Sequence, residues 1–247
     1  MKILISNDDG IGASGLKTIA NSLKRAGHDI IVVAPSGNRS GFSHSLTIRK
    51  PMRFVRDIDG FDDGISVYSL DGTPADCVKF GCYIFHDENI ELVVSGINDG
   101  PNMGVDTMYS GTVGAGMEGL NQGKKAIAIS VAEHSDTQFF ETSARVVVEN
   151  LERLAEIDDK VLFNINCPNT PYEDIKGVLF TKIGELNFEN VYQLTNDDGE
   201  FYSLDGQPRV KQSQDIETDV GAIANGYVSI TPIMQDRTNH EILGRLK

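Results

Sequence analysis

Five short apolar runs, residues 2–6, 29–35, 91–96, 126–130 and 160–166, recur along this chain, most of them separated by helical stripes. Runs of this length, rich in Ile, Val, Leu and Ala, belong to strands buried on both faces, as in parallel sheets. Between the first two, Leu16, Ile19, Ala20 and Leu23 form an apolar stripe at helical spacing that stops near Gly27. A strand–helix–strand unit of that length predicts a right-handed parallel crossover, hence an α/β fold with a mostly parallel sheet. Turn and helix-start residues at 71–76 lead into an apolar helix over 77–85. A helix of small residues is expected over 113–122 and another helix over 142–154.

Residues 47–55 and 66–70 read as extended pieces, expected as antiparallel additions to the sheet. From about Thr181 the pattern changes to polar alternation with few helical stripes. Turn residues at Asn196-Asp197-Asp198-Gly199 and Asp205-Gly206 indicate β-hairpins, and Tyr227 to Pro232 indicates a late strand. The chain thus divides into a core over 1–180 and a β-rich extension over 181–247 that returns to the core.

The net charge of −14 argues against a nucleic-acid duplex as partner, because nothing replaces the phosphate counterions. It leaves room for a small phosphorylated substrate if a metal and aligned N–H groups invert the potential locally. No apolar run approaches membrane-spanning length, and the opening Met-Lys-Ile-Leu-Ile carries no secretory pattern, so a cytoplasmic protein without membrane contact is expected. Cys77, Cys82 and Cys167 have neither a disulfide framework nor zinc spacing, and the histidines at 28, 44, 86, 134 and 240 are scattered. Any metal is therefore an oxygen-bound ion of the Mg²⁺ or Mn²⁺ kind.

Asp8 and Asp9 stand side by side directly behind the first strand, where open α/β sheets place ligands. Adjacent carboxylates repel, and a divalent cation is their cheapest neutraliser. The bland alternative is a helix cap beside a solvated acid. The loop Asn38-Arg39-Ser40-Gly41-Phe42-Ser43-His44-Ser45 adds hydroxyl and amide oxygens at a second strand end. In the third loop, which follows residues 91–96, Ser110, Gly111 and Thr112 precede the small-residue helix, where N–H groups and hydroxyls can cradle a phosphate. The pattern Gly10-x-Gly12-x-x-Gly15 matches a dinucleotide fingerprint. Two acids would then face the pyrophosphate, however, and the second strand ends Val33-Ala34-Pro35 without the ribose-binding acid.

Several motifs together resemble the survival-protein SurE nucleotidases. They are Ile5-Ser6-Asn7-Asp8-Asp9-Gly10, Ala34-Pro35 with Asn38-Arg39-Ser40-Gly41, and Gly72-Thr73-Pro74-Ala75-Asp76-Cys77-Val78. Val94-Ser95-Gly96-Ile97-Asn98, with Gly100, Asn102 and Gly104, then Tyr109-Ser110-Gly111-Thr112-Val113 and Ser229-Ile230-Thr231-Pro232 complete the set. The resemblance implies a Rossmann-like three-layer core and a C-terminal β-hairpin extension that assembles homodimers or homotetramers. It implies one divalent metal ion on Asp8, Asp9, Ser40 and Asn98, and dephosphorylation of nucleoside 5′- and 3′-monophosphates. Some members of that family also cleave short polyphosphate.

Hydrolysis of a phosphate monoester needs neutralised phosphoryl oxygens, an oriented water and a stabilised leaving alkoxide. Asp9, in preference to Asp8, is expected to orient the water. Gly41, Ser110, Gly111 and Thr112 are expected to bind phosphoryl oxygens, with Asn102 as a further donor and His44 at the leaving group. Covalent attack by Asp8 is disfavoured because the DxD pattern is missing. The competing readings are a non-catalytic sensor that clamps a Mg²⁺–nucleotide and an NAD-dependent oxidoreductase.

Overall fold

The computed structural model describes residues 1–56, 59–133, 135–157, 160–189, 192–195, 199–204, 207–209 and 215–247. His134 and the expected turn residues 196–198, 205 and 206 lie outside the described residues.

The chain opens with β1 (Lys2–Ser6), α1 (Ser14–Arg25) and β2 (Asp29–Pro35). It continues through β3 (Phe54–Arg56), β4 (Ser66–Leu70), α2 (Pro74–Ile84) and β5 (Leu92–Asp99). Next come α3 (Gly111–Asn121), β6 (Lys125–Val131), α4 (Phe140–Ala155), β7 (Val161–Cys167) and β8 (Val178–Phe180). Four short strands follow: β9 (Asn187–Glu189), β10 (Tyr192–Leu194), β11 (Tyr202–Leu204) and β12 (Gln207–Arg209). The last elements are α5 (Asp219–Ala224), β13 (Val228–Met234) and α6 (His240–Leu246).

Nine strands form one sheet in the order β3-β4-β2-β1-β5-β6-β7-β13-β8. The strands from β4 to β7 in that order are mutually parallel, while β13 runs antiparallel to β7. The chain winds outward from β1 in one direction through β2 and in the other through β5. The β1/β5 boundary is therefore the topological switch point, where an open α/β sheet offers its crevice.

Side-chain alternation builds the layers. Ile3 and Ile5 of β1 pack with Leu16, Ile19 and Leu23 of α1 and Val147 and Leu151 of α4, whereas Leu4 packs with Cys77 and Val78 of α2. Val113 and Met117 of α3 pack on Ala126, Ala128 and Leu162, so α2 and α3 cover the face opposite α1 and α4. This is a three-layer α/β core.

α2 starts where it does because Thr73 accepts the Asp76 N–H, the Asp76 carboxylate returns to the Thr73 N–H, and Pro74 occupies the first turn.

Two expectations need correction. β4 pairs parallel with β2, not antiparallel. It feeds α2 and then β5, and a strand entering such a crossover must run with its neighbours. Within 47–55, only Phe54 and Val55 join a strand, the short antiparallel β3 on the sheet edge. The C-terminal portion contains its antiparallel ribbons, β9 with β12 and β10 with β11, but also α5 and α6. Both helices are short and begin at side-chain caps, Thr218 and Asn239, so they owe little to an apolar stripe.

The sheet and α1 approach very closely at Gly15, where a Cβ would stand 2.2 Å from the carbonyl oxygen of Ile97. Gly15→Ala is expected to destabilise the protein by about 1–3 kcal/mol, read as a lowered midpoint in urea denaturation. An unchanged midpoint would show that α1 can shift off β5 freely.

Candidate active site

Three loops leave the carboxyl ends of β1, β2 and β5 and meet at the switch-point crevice. The first turns at Asn7, whose side chain donates to the Gly10 carbonyl at 3.0 Å and accepts the Gly10 N–H at 3.2 Å. That closure holds Asp8 and Asp9 at the strand end. Gly10 has φ +101°, and a Cβ there would lie 2.9 Å from Gly37 of the second loop. Only glycine meets both demands.

Asp8 is buried, 3% exposed, and its Oδ1 accepts the Thr112 hydroxyl at 2.5 Å. Burial pushes its carboxyl above the ordinary carboxylate value, while Thr112 and nearby main-chain N–H groups pull the other way. Asp9 is more accessible and accepts the Asp99 N–H at 3.2 Å on Oδ2. The second loop closes over this pair: the Arg39 N–H donates to the Asp8 carbonyl at 2.6 Å, and the Ser40 N–H to Asn38 Oδ1 at 3.0 Å.

At the carboxyl end of β5, where the third loop begins, Asn98 gives its Nδ2 to the Gly100 carbonyl at 2.8 Å. Its Oδ1 thereby faces the Thr112 hydroxyl at 3.4 Å, the same hydroxyl that serves Asp8. Oxygens of Asp8 and Asn98 thus face the same Thr112 hydroxyl, with Asp9 next to Asp8 in the chain and Ser40 on the covering loop. That donor set, two carboxylates with neutral oxygens, suits a Mg²⁺- or Mn²⁺-like ion.

α3 points its N-terminus at Asp8. Ser110 caps it by accepting the Val113 N–H at 3.0 Å, and a Cβ on Gly111 would lie 2.8 Å from the Asp8 Cβ. The glycine thus lets the positive end of α3 touch the buried acid.

Gly41 is exposed on the covering loop with φ +75°. Asn102 is buried and spends an Nδ2 donor on Ser130 Oγ at 2.8 Å, so its amide is turned into the protein. His44 is turned to Glu118, with Nε2 2.9 Å from Oε2.

Sequence reasoning missed four groups that hold these loops. Asn166 accepts the Asn102 N–H at 2.9 Å, and Asn164 and Asn166 both donate to the Asn102 carbonyl, at 2.8 and 3.1 Å. Asp219, fully buried, receives the N–H groups of Gly104 at 2.9 Å and Gly184 at 2.7 Å. Glu118 is 1% exposed. Lys79, Asn121 and Gln122 all donate to it besides His44, at 3.0, 3.0 and 2.7 Å. A signal existed for some of these: Asn164 and Asn166 alternate within a core strand, and Glu118 is the one charged residue of α3.

Burial pushes the Glu118 carboxyl up, but its four hydrogen bonds outweigh this and hold it at about 2. A depressed carboxyl contributes stability that is present above its unfolded value near 4.5 and is lost as pH falls toward 2. Stability measured from pH 6 down to pH 2.5 should therefore fall more steeply in wild type than in Glu118→Gln, by a margin of order 3 kcal/mol. Parallel pH profiles would remove the assigned charge.

Residues 3–190 match the family model described as Survival protein SurE. The chain is 41% identical over 255 residues to a protein of Synechococcus elongatus named 5′-nucleotidase SurE, covering 100% of this chain and 98% of that one. A protein of the same name from Desulforudis audaxviator is 39% identical, with 100% and 96% covered. The crystal structure of the SurE protein from Aquifex aeolicus superposes with a TM-score of 0.85 at 36% identity, covering 100% of this chain and 98% of that one.

Proposed function

Because the chain belongs to the survival protein SurE family, we propose that it is a divalent-metal-dependent phosphomonoesterase acting on nucleoside 5′- and 3′-monophosphates. One observation carries the reading: oxygens of Asp8 and Asn98 and the N-terminus of α3 converge at the switch-point crevice beside Asp9. Relatives across the full length of the chain carry the name 5′-nucleotidase SurE, which supports the same chemistry.

Asp8, Asp9, Ser40 and Asn98 would hold one Mg²⁺- or Mn²⁺-like ion, which would supply polarisation of a phosphoryl oxygen and acidification of a water. Asp8, buried and fixed by Thr112, has little freedom to act as a base, so it serves as the anchor. Asp9, the more accessible acid, orients the attacking water. The positive end of α3 faces the phosphoryl oxygens, while Gly111 and Thr112 spend main-chain N–H groups on Asp8 and Ser110 holds that helix end in shape. Gly41 lets the covering loop approach the phosphate, and Asn102 acts by fixing the third loop through Ser130. Short polyphosphate presents the same terminal phosphoryl group and is a side substrate to test.

The β10–β11 ribbon carries exposed Tyr192, Leu194, Tyr202 and Leu204. Apolar side chains on a protruding ribbon suit contact with a second copy, as a homodimer or homotetramer. Light scattering should then return two or four chain masses, and a monomer would remove this part of the reading. Among the described residues, no helix is long and apolar enough to cross a membrane. The three cysteines are free thiols, which suits a reducing cytoplasm.

Inorganic phosphate release from a panel of nucleoside monophosphates should require Mn²⁺ or Mg²⁺ and stop with EDTA. Asp9→Asn should lower kcat by at least about 100-fold with an unchanged circular dichroism spectrum. Folded wild-type protein that releases no phosphate with either metal would overturn the assignment.

A further inference from the structure

The loop that carries Ser40 is long, polar and exposed, yet its distal half is fastened at every residue from 43 to 45 and again at 47. The Ser43 N–H donates to the Tyr109 carbonyl at 3.0 Å, and its hydroxyl to the Met108 carbonyl at 2.7 Å. The Ser45 carbonyl accepts the Thr73 hydroxyl at 2.7 Å, and the Thr47 N–H reaches the Asp76 carboxylate at 3.0 Å. His44 supplies the remaining fastening, Nε2 to Glu118 Oε2 at 2.9 Å.

Two further features show that this segment is clamped rather than resting. Ser43 adopts φ +55°, a left-handed conformation disfavoured for any residue with a Cβ. A Cβ on Gly114 would stand 2.4 Å from the Ser43 carbonyl oxygen, so the loop lies directly on the first turn of α3. Glu118 is about one turn further along that helix than Gly114, and its carboxylate ties together three elements: the loop through His44, α2 through Lys79, and α3 through Asn121 and Gln122. Since a carboxylate only accepts hydrogen bonds, the Nε2 of His44 carries the proton in this contact. Glu118 stands apart from the residues proposed to hold the metal, and the hydrolysis described above does not use it.

The geometry points to Glu118 as a positioning residue: through His44 it fixes the second loop on α3, and so sets where Ser40 stands over Asp8 and Asp9. The inference rests on the proposed metal set of Asp8, Asp9, Ser40 and Asn98. The same ionised carboxylate, held low by its four donors, keeps this clamp closed throughout the neutral range. Groups that orient a ligand without touching the metal commonly change affinity by 10-fold or more when removed. A role at the leaving group alone would leave the affinity of the free protein for metal untouched.

The test is Mn²⁺ binding without substrate, followed by the electron paramagnetic resonance of the free ion, in full-length wild type, Glu118→Gln and His44→Phe. Each variant is first shown to be folded by circular dichroism. Both variants should weaken the Mn²⁺ Kd by about 10-fold, with His44→Phe deciding alone if Glu118→Gln does not fold. A wild-type Kd in folded variants that merely melt earlier would reduce the clamp to a stability device and overturn the inference. Wild-type protein that binds no Mn²⁺ would overturn the metal reading itself, and this inference with it. Unchanged Kd in the variants beside tight wild-type binding would overturn only the positioning role.

Discussion

Everything at the functional edge depends on burying the Asp8 carboxylate against the N-terminus of α3. A carboxylate out of water is costly unless it is paired or hydrogen-bonded. Here the Thr112 hydroxyl and the first N–H groups of α3 supply part of the compensation, burial still holding the carboxyl above its ordinary value, and Gly111 permits the contact because any Cβ would collide with Asp8. This packing fixes α3 against the end of β1. It also places Asn98 on the Thr112 hydroxyl, so one contact sets the mutual positions of the first loop, the third loop and the helix. The small residues of α3 follow from the same demand. Gly116 and Gly119 lie against Leu162 and Val93, where larger side chains would lift the helix away from the sheet.

The loops around that contact are irregular, and irregular backbone beside a sheet leaves donors and acceptors to satisfy. The molecule answers with buried side chains acting as fixed anchor points. Asn164 and Asn166 project from β7 onto the α3 side of the sheet and bind both main-chain groups of Asn102. Asp219 gathers the N–H groups of Gly104, Gly184 and Val220, which joins the third loop to the start of the C-terminal portion. Glu118 gathers the second loop. The four anchors stand on three different elements, so the loops are referred to the rigid core and less to one another.

How much of this was legible in the sequence follows from which interactions are local. The strands and main helices of the core came from hydrophobic periodicity, and the placement of Asp8 and Asp9 at a strand end came with them. β4 was misjudged because orientation within a sheet is set by what a strand connects to, and residues 66–70 alone carry no sign of it. α5 and α6 were missed because helices of six and seven residues show caps but no stripe. At the site, residue types pointed to candidate ligating groups, but the directions of the side chains were invisible. Asn102 and His44 sit in the loops expected to form the site, and both are turned to protein partners, Ser130 and Glu118, that are 28 and 74 residues away in sequence. The anchors Asn164, Asn166 and Asp219 read as ordinary polar residues until the fold brings the third loop onto them.

The choice of donors around the acid pair bears on why an acidic chain, net charge −14, can serve an anionic substrate. Asp8 is held by a hydroxyl and by main-chain N–H groups, and among the described residues no Lys or Arg ion pair reaches it. Arg39, on the covering loop, turns its guanidinium to Asp71 at 3.1 Å and lies over the Phe42 ring, although its own N–H touches the Asp8 carbonyl. A lysine or arginine seated on the pair would neutralise it permanently and exclude a second cation by like-charge repulsion. Neutral donors position the carboxylates while leaving their charge to be met by an ion from solution. The acidic surface elsewhere matters little to such a site, because beyond about 8–10 Å at physiological salt its field is screened. In the proposed function, what a phosphate would meet at close range is the positive end of α3, and the polarity of that site is set by the few groups in contact with it rather than by the charge of the chain.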